Sequence, residues 1–249
     1  MIPRVLVPTF NAYYWLLRPF AYLFNTYWSA QQPVVIGGYE PLPFDLPPNF
    51  TFHSIAPTSY PKEKWLQGVR EFFAAMPDTH FVLALEDYWL IRSINHDAIR
   101  TLTEYMELHD DVLRIDLTTD RLYAGGIPMP HEHADEMYGH YDLIPSNVNN
   151  YHLSTQLGIW NRAHLLRFIK NYLSAGKSGE PWHFEVEGTT RLRDEFPEFK
   201  VLGTRQFPCR YTIGIKQGDD KVNVRGIPKE HLDRMVDLGY FEGHEIGRD

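Results

Sequence analysis

Cysteine is all but missing from this sequence: Cys209 stands alone among 249 residues. A single thiol excludes an intramolecular disulfide framework and fits a reducing compartment, so a cytoplasmic setting is the expectation. Long apolar runs are missing as well. A membrane-spanning helix needs about 20 consecutive apolar residues, and the most apolar early segment, residues 12–28, is interrupted by Arg18 and Asn25. It does not read as a signal peptide either, since strand-like Val5-Leu6-Val7 and Pro8 precede it and no small-residue cleavage site stands out. A soluble, unprocessed protein with no membrane span is expected.

Several chemistry-bearing signatures are absent too. Neither a glycine-rich dinucleotide fingerprint nor a Gly-Lys-Ser/Thr phosphate loop occurs, which weakens oxidoreductase and ATPase readings. There is no Gly-x-Ser-x-Gly nucleophile elbow, and Cys209, between Pro208 and Arg210, has no identifiable partner base. Internal repeats, low-complexity tracts and an interdomain linker are also lacking.

What is present is a globular composition, 43% hydrophobic and 14% aromatic, long enough for one large domain with a full core. The net charge of -8 is unevenly spread: residues 71–188 carry 8 basic and 18 acidic side chains, residues 189–229 carry 9 and 5. The overall balance argues against non-specific polyanion binding. An acidic middle facing a basic late segment across one cleft would suit a metal-bound anion.

Val5 to Thr9 reads as a first strand, followed by a helix over about 13–27, a second strand over 33–38 and a proline-forced loop through Pro41, Pro43, Pro47 and Pro48. Residues 50–55 suggest a third short strand. Trp65, Val69, Phe72 and Phe73 have helical spacing within 62–76, leading into an apolar strand over 81–85. A helix over 97–108 and a strand over 112–117 follow. Residues 120–150 read as a long loop, residues 154–172 as a helix, and residues 176–181 as a loop that delivers Trp182 to Gly188 and then a polar helix to about Arg193. Val201 and 211–215 look strand-like, and a last helix spans 229–238. Strands alternating with helices mean an α/β fold.

The most informative segment is Leu85-Glu86-Asp87-Tyr88-Trp89, two adjacent carboxylates at the end of a strand buried on both faces. In open α/β sheets the ligand crevice lies beyond the carboxyl ends of the strands, and hard cations prefer carboxylate oxygens. Glu86 and Asp87 therefore read as ligands for Mn²⁺ or Mg²⁺ together with a diphosphate, or, more plainly, as a cap or surface turn. Trp182-His183-Phe184-Glu185 supplies a second acid in an aromatic setting that would raise its pKa toward a general base's range. The plainer reading is a carboxylate in the first turn of a helix. Glu187 shares a face with Glu185 only if the segment is extended. His131, His133, Asp135, Glu136 and His140 have metal-binding residue types without zinc spacing, so a hydrophilic loop is the better reading, with a lid over substrate as the functional one. Tyr13, Trp15, Trp65, Tyr88, Trp89 and Trp182 offer rings for a nucleobase or a sugar face, with Trp65 and Trp89 read as core. Ser154 reads as a helix cap, and Gln156 can hydrogen-bond a sugar hydroxyl.

In order, Val7-Pro8-Thr9, the Trp65 helix, Leu85 to Trp89, Ser154-Thr155-Gln156 with Ile159-Trp160, and Trp182 to Glu185 resemble a group of bacterial and phage glycosyltransferases of the GT-A superfamily. The resemblance implies a single GT-A-like domain with a central mixed, mostly parallel sheet flanked by helices. Within it, residues 1–117 would form the nucleotide-sugar half, 118–228 the acceptor half, and 229–249 a terminal helix and tail. It implies a metal-dependent, inverting transfer from a nucleoside diphosphate sugar, UDP-sugar first, to a hydroxyl acceptor, either a surface glycan or a hydroxylated DNA base. Asp87 and Glu86 would hold metal, Pro8, Thr9, Trp65 and Gln156 would line the donor, and Glu185 would act as base, with Asp87 sharing the catalytic role. The usual Asp-x-Asp is replaced here by Glu86-Asp87-Tyr88. A nucleotidyltransferase or a non-catalytic nucleotide- or sugar-binding protein are the alternatives.

Overall fold

Alternating apolar side chains decide which way each strand faces. Val5 and Val7 enter one layer and Leu6 the opposite one, and Val82 and Ala84 part in the same way from Phe81 and Leu83. Strands buried on both faces belong inside a sheet covered by helices. A computed structural model, describing residues 2–118, 136–146, 151–215 and 221–247, has that arrangement.

Val5–Pro8 (β1), Val34–Gly38 (β2), Phe50–Ser54 (β3) and His80–Leu83 (β4) are mutually parallel, with β1 between β2 and β4. Tyr88–Leu90 (β5) leaves this sheet. Val112–Asp116 (β6), Glu136–Tyr138 (β7), Tyr141–Pro145 (β8), Gly158–Asn161 (β9) and Lys200–Gly203 (β10) complete the order β3-β2-β1-β4-β9-β6-β10-β8-β7. β9 is antiparallel to both of its neighbours, β10 runs parallel to β6, and β8 is antiparallel to β10 and β7. Tyr211–Ile213 (β11) pairs with β5, and Val222–Asn223 (β12) with Ile246–Gly247 (β13). The sheet is mixed and mostly parallel, and strands from both expected halves share it.

Leu17–Phe24 (α1), entered by a 3-10 turn over Asn11–Leu16, covers one face, while Trp65–Ala75 (α2) covers the other. His96–Leu108 (α3) joins α1; Arg162–Ser174 (α4) and Pro181–Glu195 (α5) join α2; Lys229–Asp237 (α6) adds Met235 to the α1 side. Among the described residues no helix is long and apolar enough to cross a membrane.

Two expectations need correction. Residues 154–172 are not one helix: Gly158–Asn161 is the central strand β9, and α4 starts only after Asn161, whose side chain accepts from the His164 amide at 3.2 Å. Ser154 caps no helix, and its hydroxyl instead accepts from the Gln156 amide at 3.2 Å. Tertiary burial between β4 and β6 overrides the local pattern. Residues 136–145, read as loop, form the β7–β8 hairpin, turning at Gly139 with a φ of 59°. His131, His133 and Asp135 lie outside the described residues, as does most of the segment read as a lid.

Candidate active site

β4 stops at Leu83, where its neighbour Ala84 still donates to Leu6 at 3.1 Å, and the chain then turns over Leu85–Tyr88, with the Tyr88 amide on the Leu85 carbonyl at 3.0 Å. Glu86 and Asp87 occupy this turn, at the carboxyl edge of the parallel strands. Thr9, just past β1 and 3% exposed, is tied to β2 through Gly37 at 2.8 Å and hydrogen-bonds the Glu86 carboxylate. The turn is held from below as well: the Trp89 indole donates to the Glu86 carbonyl at 3.1 Å, and the Gly214 amide to the Asp87 carbonyl at 2.7 Å.

Glu86 is 8% exposed. Burial, then the adjacent Asp87 charge, pushes its carboxyl up to about 8. Burial likewise raises Asp87, to about 7. Among the described residues no cationic side chain pairs with either, and no cluster of three or more His, Cys, Asp or Glu is poised to hold a metal. Two carboxylates with no compensating charge fit a divalent cation that takes its remaining ligands from phosphate and water.

The opposite wall comes from residues 153–155 and α5. Pro181 opens that helix, where a missing N–H costs nothing. Glu185 falls in its second turn, not the first, and the helical path turns Glu187 away to Lys177 at 3.1 Å. The Thr155 amide and hydroxyl both donate to Glu185 Oε1, at 2.6 and 2.9 Å. Thr189, one turn on, accepts from the Leu153 amide at 3.0 Å and donates to the Glu185 carbonyl at 2.6 Å, fastening the two segments together. Glu185 Oε2 has no hydrogen-bond partner among the described residues.

Tyr88 connects the walls. Its buried ring places the hydroxyl beside Thr155, between the charges of Asp87 and Glu185. Burial first, then those two carboxylates, hold the phenol well above its ordinary pKa, so it stays a neutral donor. Behind Thr155, the fully buried Arg114 pairs with Asp116, donates to the Gln156 carbonyl at 2.9 Å and lies over the Trp160 ring at 4.9 Å. Gly158 makes room for it, since a Cβ there would sit 2.8 Å from Arg114 Nε.

Glu86, Asp87 and Thr9 thus meet at one turn, Pro8 ends the strand beside them, and Glu185 faces them across Tyr88. Gln156 offers a buried Oε1 without a partner among the described residues. Trp65 is 6% exposed and packs within the α2 layer, leaving little ring surface for a donor. Thr155 belongs to a motif read from the sequence, but its grip on Glu185 spans 30 residues and has no local signal. Arg114 and Asp116 were missed, although two charges at alternate positions of an apolar strand mark a polar face inside the core.

No protein-family profile matches this chain, and no curated protein does. Among solved structures, the mannosyltransferase PcManGT from Pyrobaculum calidifontis in complex with GDP-Man and Mn²⁺ aligns with a TM-score of 0.50 at 10% identity, over 87% of this chain and 58% of that one. A cytidylyltransferase from Leptospira borgpetersenii aligns over 100% of both chains at 9% identity with a TM-score of 0.47. Residues 1–349 of TarS from S. aureus align at 12% identity and 0.47, over 99% of this chain and 67% of that one. The fold is therefore shared with the mannosyltransferase.

Proposed function

We propose that this chain transfers a sugar from a nucleoside diphosphate sugar to a hydroxyl acceptor, with Glu86 and Asp87 holding Mn²⁺ or Mg²⁺ and Glu185 acting as general base. The observation that carries the reading is the arrangement of carboxylates: buried Glu86 and half-buried Asp87 without a cation among the described residues at the sheet's carboxyl edge, faced across Tyr88 by a third with one free oxygen. A GDP-mannose and Mn²⁺ complex on the same fold supports it. A divalent cation bound there supplies positive charge against the departing diphosphate.

Thr9 and the turn after β4 hold the diphosphate side of the donor. Thr155 fixes Glu185 through Oε1, leaving Oε2 to take the acceptor's proton. The new bond forms between the acceptor oxygen and the anomeric carbon; the bond from that carbon to the diphosphate breaks, and its electron pair leaves with the diphosphate. Displacement from the face opposite the leaving group inverts the anomeric centre. UDP-sugar is the first donor to try, with GDP-sugar beside it.

Calorimetry with UDP, GDP and CDP, in Mn²⁺ and in chelator, tests the proposal. At least one nucleotide should bind more tightly with Mn²⁺, and Asp87→Asn should remove that gain. Equal affinity in metal and chelator would take the cation out of the scheme; no nucleotide binding would end the transferase reading.

A further inference from the structure

We infer that Trp182 is a platform for a neutral saccharide ring, so that the acceptor is a glycan hydroxyl; this rests on the transferase reading above. Trp182 is 55% exposed, whereas Trp28, Trp65, Trp89 and Trp160 are each 6% exposed or less. Trp15 is half-buried against His244 and Tyr13 is 46% exposed, so exposure marks Trp182 only together with its place on the helix that carries Glu185.

Its position is fixed by the fold. α2 links two parallel strands, β3 and β4, so it starts at the carboxyl edge of the sheet, the edge that carries Glu86 and Asp87. The start of α5 is pinned to that point: the Leu66 amide donates to the Gly179 carbonyl at 2.9 Å, and the Gly179 amide to the Glu63 carbonyl at 3.1 Å. Trp182 therefore stands at the rim of the cleft. Glu185 follows three residues later on the same helix, and side chains three apart are surface neighbours. A ring stacked on Trp182 would bring its hydroxyls toward the proposed base.

The surrounding charges select the class of ligand. Flat indoles stack on the C–H face of a pyranose or on a nucleobase alike, so stacking alone does not choose. Close to Trp182, Glu180 pairs with Lys62 at 3.0 Å and Glu187 with Lys177 at 3.1 Å, which leaves Glu185 as the acid on this stretch of helix without an ion pair, Glu86 and Asp87 being given to the cation. The basic late segment offsets them only in part: Arg191, Lys200, Arg205, Lys221 and Lys229 are paired with Glu195, Asp111, Asp142, Glu245 and Asp233, whereas Arg210, over the Phe207 ring, and Arg225 make no ion pair among the described residues. A polyanion binds by presenting phosphates to free cations. A neutral sugar instead donates its hydroxyls to carboxylates.

Saturation-transfer NMR on the full chain, with chitotriose, cellotriose, mannotriose and galactotriose as probes, tests the platform. A duplex DNA carrying hydroxymethylated pyrimidines is the counter-probe. At least one trisaccharide should bind, Trp182→Ala should weaken it about tenfold or more, and Trp182→Phe should keep part of the affinity. Leu108→Ala, at a 70% exposed apolar site on α3, should change nothing. Failure of all four sugars to bind, equal binding to Trp182→Ala, or tighter binding of the duplex would overturn the inference. Titration of UDP and GDP with Mn²⁺ on the same samples separates the two claims. Nucleotide binding without a Trp182-dependent sugar sinks the platform alone. Trp182-dependent sugar binding with no nucleotide binding supports the platform and sinks the transferase reading.

Discussion

Replacing Glu86 by Gln should make the metal-free protein more stable, and increasingly so as the pH rises. In the folded chain the Glu86 carboxyl is held up to about 8, chiefly by burial and then by Asp87. The unfolded chain loses the same proton near about pH 4.3. Between these limits the native state binds more protons than the unfolded one. The sign follows: stability from this group is complete on the acid side and drains away as the pH climbs toward 8. At about 1.36 kcal/mol per unit the full shift would be worth roughly 5 kcal/mol. Relaxation and water penetration commonly halve such figures, leaving about 2–3 kcal/mol at pH 8.

Glutamine keeps the shape and the capacity to bond Thr9 without the charge. At pH 8 in chelator, Glu86→Gln should therefore gain about 2–3 kcal/mol, or about 4–12 °C in melting temperature for a chain of this length. The gain should fade toward pH 4. Urea denaturation of both proteins at pH 5, 6, 7 and 8 reads the difference directly. Added Mn²⁺ should raise the stability of the native sequence at pH 8 more than that of the variant, because a ligand that binds only the folded state stabilises it. A variant no more stable than the parent at pH 8, with a difference that does not move with pH, would refute the claim that this turn stores uncompensated charge.

Glu185→Gln should lower turnover by about 10²–10⁴-fold with donor affinity and melting temperature nearly unchanged, while Glu187→Gln, on the Lys177 side of α5, should be close to neutral; full transfer activity in Glu185→Gln would dismiss the base. Thr155→Val removes the hydroxyl donor but keeps the amide, so kcat should fall about tenfold while KM for the donor holds, and Thr155→Ser should restore it; an unchanged kcat would show that the hydroxyl does not position Glu185. Gly158→Ala sets a methyl 2.8 Å from Arg114 Nε and 3.1 Å from the Ile115 carbonyl, which should cost about 1–3 kcal/mol in denaturant unfolding.

Much of the fold was legible because β1, β2 and β4 are buried on both faces and read as short apolar runs between glycines and prolines. β9 was not, because Gly158-Ile159-Trp160 runs directly into the apolar spacing of α4 and only the Asn161 cap separates strand from helix. β8 was hidden by Asp142, which in sequence suggests solvent. It is 1% exposed, and its charge is met by Thr204 and Arg205, more than 60 residues away. Compensation at that range leaves no local trace. The acidic turn was legible for the opposite reason: Glu86 and Asp87 interrupt an apolar run, and the conflict is local.

How each buried charge is compensated separates framework from site. Burial pushes Asp142 up, but hydrogen bonds from the Arg205 amide and the Thr204 hydroxyl, with the Arg205 guanidinium, outweigh it and leave its pKa below the ordinary value. Arg114 and Asp116 are both fully enclosed and answer each other. These groups are settled within the chain, and removing one partner would strand the other. Glu86 and Asp87 meet hydrogen-bond donors but no cation among the described residues, and burial moves their pKa values the opposite way. Perturbed groups of that kind gather at functional sites. That this fold neutralises Asp142 with an arginine, yet leaves two carboxylates without a cation among its described residues at the edge where its parallel strands end, is the contrast on which the proposed cation site rests.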